Sequence, residues 1–65
     1  MTANQFRAAL KSLGLTQAGA SGLFRVDERT GRRWAEQGLS GPAAILMRLL
    51  VEREITVAQI ERARD

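Results

Sequence analysis

Apolar residues recur along this chain at three- and four-residue intervals, and each run ends after a few turns at a glycine or a capping residue. That pattern constrains the fold more than any other feature. It specifies short amphipathic helices and leaves no stretch of strict alternation for a strand. In the first segment, Phe6, Ala9, Leu10 and Leu13 fall on one helical face. Thr2 and Gln5 have the spacing of a capping box, and Gly14 can close the helix in a left-handed conformation. Arg7 and Lys11, four residues apart, share the more exposed side.

The second segment is less decided. Thr16 is a good N-cap, and Ala20, Leu23 and Phe24 keep helical spacing. Gly19 and Gly22 oppose a helix by about 1 kcal/mol each, so packing has to hold it. The small surface of Ala20, Ser21 and Gly22 lets a neighbour approach closely. Asp27 then caps a third helix, with Glu28 in the turn where the helix dipole favours a carboxylate. On that helix Thr30, Gly31 and Trp34 face inward. Glu28, Arg29, Arg32, Arg33 and Glu36 share the other side.

A fourth helix begins at Ser40 or Gly41, with Pro42 in its first turn. Ala43, Leu46, Met47 and Leu50 form its stripe, widened by Ile45, Leu49 and Val51. Thr56 and Gln59 make a second capping box, opening a fifth helix with a modest strip of Val57, Ile60 and Ala63. The expectation is an all-α, compact bundle of about five short helices forming one domain over residues 1–65.

With 65 residues, the chain is near the lower size limit for folding alone. It contains no cysteine and no histidine. Disulfides, thiolate or imidazole metal sites, and Cys–His or Ser–His nucleophiles are thereby excluded. A chain this short builds little substrate pocket, so no enzymatic activity, cofactor or small-molecule ligand is expected. No apolar run approaches the roughly 18 residues of a membrane span, and the N-terminus lacks a secretion signal. A cytoplasmic, nucleoid-associated location is expected. The net charge of +3 is uneven. Residues 1–33 hold six basic and two acidic side chains, and residues 34–65 hold four and five. The positive half suggests an anionic partner, with nucleic acid the first candidate.

"LGLTQ" at residues 13–17, "VDERTGRRW" at 26–34 and "GLSGPAAILMRLL" at 38–50 complete the pattern. Together they resemble the phage-repressor and Cro-like (Xre-type) helix-turn-helix family, whose recognition helix often reads V-S-x-R-T-V-x-R-W. The resemblance covers roughly residues 5–52. It implies a lambda-repressor-like fold whose third helix enters the DNA major groove. By position, Glu28, Arg29, Arg32 and Arg33 are the implied base readers. Arginine can donate twice to the O6 and N7 acceptors of guanine. Glu28 could accept from cytosine or hold Arg32. Gln17 matches a phosphate-contacting position, and Thr16, Arg25, Arg7 and Lys11 are further phosphate candidates.

Three positions depart from the family pattern. Ser21 replaces the usual alanine, a small change. Arg25 replaces the turn glycine, where either a left-handed backbone costs about 1 kcal/mol or the turn is reshaped. Gly31 replaces a branched apolar residue, which implies looser packing with Phe24 and Trp34 filling the space. Family members usually bind palindromic operators as dimers. Here the strip Ile55, Val57, Ile60 and Ala63 is the expected dimerisation surface, within a terminal segment 54–65. The implied function is a double-stranded-DNA-binding transcriptional repressor acting by occlusion, an autoregulator of the kind found in phages, mobile elements and anti-CRISPR operons. The alternatives are the antitoxin of a toxin–antitoxin pair and a helical protein-interaction adaptor whose arginine face meets an acidic protein.

Overall fold

The computed structural model describes residues 1–64, and among these the chain forms five helices and no strand. They are α1 (Ala3–Leu13), α2 (Gln17–Leu23), α3 (Glu28–Gln37), α4 (Gly41–Val51) and α5 (Val57–Arg64). The capping signals act as the sequence predicts. The Thr2 hydroxyl accepts from the Gln5 amide while the Gln5 side chain accepts from the Thr2 amide, and Thr56 and Gln59 repeat the exchange. Thr16 accepts from the Gly19 amide at 2.8 Å, and Asp27 accepts from the Arg29 amide at 2.8 Å. Ser40 precedes α4 without a side-chain cap, and Pro42 lies in the first turn. No helix of the described residues is long and apolar enough to cross a membrane.

Three helices close by one backbone device. After α1, the Gly14 amide bonds Lys11 O and the Leu15 amide bonds Leu10 O. After α2, Arg25 and Val26 bond Gly22 O and Ser21 O in the same way, and after α4, Arg53 and Glu54 bond Leu50 O and Leu49 O. Each is a Schellman closure, which places one residue in the left-handed region. Glycine takes that place only at Gly14. Arg25 and Arg53 adopt it at φ 55° and φ 63°, at a cost of about 1–2 kcal/mol each for an L-residue. Of the two alternatives at Arg25, the turn takes the left-handed backbone and is not reshaped.

The core comprises Phe6, Ala9 and Leu10 of α1, Ala20 and Leu23 of α2, Ala35 of α3, Leu39, and Met47 and Leu50 of α4. Phe6, Met47 and Leu50 are fully enclosed, and each such side chain contributes roughly 1.5–3 kcal/mol. α3 packs against both α1 and α2, α4 packs on α1, and α5 packs on α2. The chain passes from α3 to α4 through Gly38, at φ 89°. There the backbone of Leu39 pairs with Met1 through two hydrogen bonds of 2.9 Å.

α5 contributes no fully buried residue. Val57 and Ile60, with Ile55 before the helix, are half-buried against the core. The Arg64 guanidinium donates to the last carbonyls of α2, Gly22 O at 2.9 Å and Leu23 O at 3.0 Å. Three members of the expected dimerisation strip are thus largely committed within the domain, because α5 folds back over the end of α2. Ala63 stays exposed and offers one methyl group. Asp65, the last residue of the 54–65 segment, lies outside the described residues.

Candidate nucleic-acid interface

α2 and α3 meet at a close approach that two small residues allow. Ser21 is 1% exposed and faces Gly31, which is also buried. A Cβ placed on Gly31 would stand 2.0 Å from the Ser21 Oγ. That hydroxyl is held in position, donating to the Gln17 carbonyl at 3.1 Å. The looser packing expected around Gly31 is therefore absent. The hydroxyl of Ser21 occupies the room that a larger residue at position 31 would need. The Ser21 oxygen is the atom that a side chain at position 31 would meet first.

Trp34 fixes the other side of α3. Its ring stands edge-on to Phe6 (5.9 Å between centroids, 82°) and to Phe24 (6.1 Å, 68°). It is half-buried and joins α1, the α2–α3 turn and α3 in one aromatic cluster. Edge-to-face pairs add roughly 0.5–1.5 kcal/mol each beyond their buried area. Ala35 is buried beside it. At the C-terminal end of α3, the Arg7 guanidinium donates to Ala35 O and to the Asn4 side chain. A cation there complements the negative end of the helix dipole.

With its inner face so held, α3 presents two rows at four-residue spacing. One is Glu28, Arg32 and Glu36; the other is Arg29, Arg33 and Gln37. All six are exposed. Among the described residues, the side chains of Glu28, Arg29, Arg32 and Arg33 form no hydrogen bond or ion pair. The alternative in which Glu28 holds Arg32 is not adopted. Exposed guanidinium groups without an internal partner can pair with an external acceptor without giving up a bond inside the protein.

The residues expected to contact phosphate are dispersed. Thr16 is exposed but its hydroxyl already caps α2. Gln17 opens α2 and is half-buried. Lys11 is exposed in the last turn of α1, with no partner among the described residues. Arg25 is exposed in the turn. Arg7 departs from its expected role, because its guanidinium is engaged with α3 and serves the fold. Gln37 was missed in the sequence, although its spacing from Arg33 gave the signal. The chain matches no family model, no curated protein and no solved structure.

Proposed function

We propose that this protein binds double-stranded DNA in a sequence-dependent manner and acts as a transcriptional repressor, with α3 as a recognition helix in the major groove. α2, the turn and α3 then form a helix-turn-helix unit of the Cro-like kind. One observation supports this above the others. Arg29, Arg32 and Arg33 stand exposed and unpaired on a helix whose opposite face is locked by Gly31, Trp34 and Ala35. Guanidinium groups on a positioned helix suit bidentate contacts with guanine. Lys11, Arg25 and the N-terminal turn of α2 add phosphate contacts that fix register.

The domain measures 28 × 23 × 22 Å, narrower than the roughly 34 Å between successive major grooves on one face of the duplex. One copy thus covers one half-site, and a second copy fits beside it on a palindrome. Repression follows from occlusion of a promoter, including the protein's own.

Selection from a random double-stranded DNA pool, followed by affinity measurements against salt, tests this. The expected result is an enriched two-fold-symmetric sequence and a steep salt slope, near 0.9 per phosphate neutralised. A pool that returns no preferred sequence refutes sequence-specific repression and points to an acidic protein partner instead.

A further inference from the structure

We propose that the outward face of α4 is a self-docking surface, on which a second copy of this chain packs its own α4 antiparallel across a two-fold axis. The inference supplies the dimer that the DNA reading calls for. Its test uses no DNA, so either can fail while the other stands.

Ile45 is 62% exposed, the one exposed large hydrophobic side chain among the described residues. It lines an open groove of about 410 Å³ with Met1, Ala44, Leu49, Arg48 and Glu52. Two rows of side chains at four-residue spacing run along α4 here, Gly41–Ile45–Leu49 and Ala44–Arg48–Glu52. Arg48 and Glu52 also border a second groove, between α4 and α1. They therefore form a ridge with a hollow on either side, the relief that ridges-into-grooves packing requires. Gly41 and Ala44 keep the start of the face low enough for close approach. None of Arg29, Arg32 and Arg33 lines either groove, so the face leaves the arginine rows free.

The charges argue for a second copy as the occupant. Arg48 and Glu52 form no side-chain hydrogen bond or ion pair among the described residues. They carry opposite charges on one ridge, so the face is complementary to itself under two-fold rotation, as an isologous interface must be. With the axis beside Leu49, the two Leu49 side chains meet, and Ile45 of each copy lies about 6 Å along the helix axis from Leu49 of the other. Arg48 then sits within about 5 Å along the helix axis of Glu52 in the other copy, at a rise of 1.5 Å per residue. The long arginine side chain spans that offset. The apolar residues once expected to serve this purpose, Ile55, Val57 and Ile60, already pack on the core.

A stable interface buries about 800 Å² per partner, close to a fifth of the 4320 Å² surface of this chain. One face of an 11-residue helix supplies less, so the pairing is weak and reversible in solution. It strengthens when two half-sites hold both copies together, through the effective concentration that tethering gives.

The experiment is sedimentation equilibrium from about 1 µM to about 1 mM protein. The wild-type chain is expected to show a monomer–dimer equilibrium in that range. Ile45→Asp should weaken it by about tenfold or more, and Arg48→Glu or Glu52→Arg alone should do the same, because each sets like charges face to face. All three positions are exposed, and circular dichroism confirms that each variant remains folded. The decisive sample is an equimolar mixture of R48E and E52R chains. Every facing pair is then of opposite charge, so the mixture should associate about as tightly as wild type, as a heterodimer. A wild-type monomer at about 1 mM overturns the proposal. So does a dimer that Ile45→Asp leaves intact, or a mixture that associates no better than its components.

Discussion

Replacing Gly31 with alanine should have opposite effects depending on whether residue 21 carries a hydroxyl. In the wild-type background the new methyl meets Ser21 Oγ at 2.0 Å, whereas Ser21 Cβ and Gln17 O are at 3.4 and 3.5 Å. Only the hydroxyl is incompatible. Turning it away breaks its bond to Gln17 O and strands a buried oxygen, which costs about 1–3 kcal/mol. Alanine returns about 1 kcal/mol over glycine in a helix interior. The single variant should therefore lose about 0–2 kcal/mol. In a Ser21→Ala background the methyl meets only Cβ, at a distance that a shift of a few tenths of an ångström relieves. There the same change should stabilise by up to about 1 kcal/mol. The coupling across the cycle is then about 1–3 kcal/mol in favour of the double variant.

Urea denaturation read by Trp34 fluorescence measures all four corners, since Trp34 reports the packing of α3 against Phe6 and Phe24. Thermal melts give a second readout, at roughly 4–8 °C per kcal/mol for a domain of this size. If Gly31→Ala changes stability equally in both backgrounds, within about 0.5 kcal/mol, the hydroxyl is not what a side chain at position 31 meets and the account of this contact is refuted.

Gly38→Ala should be far more damaging. Its Cβ would meet backbone atoms, Met1 O at 2.6 Å and Ala3 N at 3.1 Å, and its backbone conformation is nearly exclusive to glycine, at a cost of about 1–3 kcal/mol before the clash. Chemical denaturation should show a loss above about 3 kcal/mol or a chain largely unfolded at 25 °C. Arg53→Gly should raise stability by about 0.5–1 kcal/mol by relieving the left-handed backbone, since the hydrogen bond it gives up, to Ser12 O at 3.5 Å, is long; an unchanged melting temperature would refute this. On DNA, Arg29→Ala or Arg33→Ala should cost about 1–3 kcal/mol on the preferred site and relax preference at one base pair. Lys11→Ala should weaken all sequences alike and lower the salt slope by about 1 per bound copy. Titrations of selected and scrambled duplexes at several salt concentrations separate the two behaviours.

Much of this molecule was legible before its structure. Capping boxes, glycine stops and three-to-four periodicity act over a few neighbouring residues, so Thr2, Gly14, Thr16, Asp27 and Thr56 set helix boundaries wherever the helices later pack. The exposed side of α3 was legible for the same reason, because the 3.6-residue period separates Glu28, Arg29, Arg32, Arg33 and Glu36 from Gly31 and Trp34 on any helix starting at Asp27. The sequence could not say what each face meets. Ser21 and Gly31 lie ten positions apart, and only the docking of α2 on α3 turns one hydroxyl and one missing methyl into a single contact. Arg7 looked like a surface cation until α1 set it beside the end of α3. Ile55, Val57 and Ile60 looked like unspent apolar surface until α5 folded back onto α2, leaving Ile45 on α4 as the exposed hydrophobe. Local sequence thus determined the helices, their ends and the face that carries the arginines, because backbone hydrogen bonding and capping are short-range. Which side chains are consumed within the domain, and which remain for a partner, was decided by the tertiary structure, because burial depends on contacts between residues far apart in the chain.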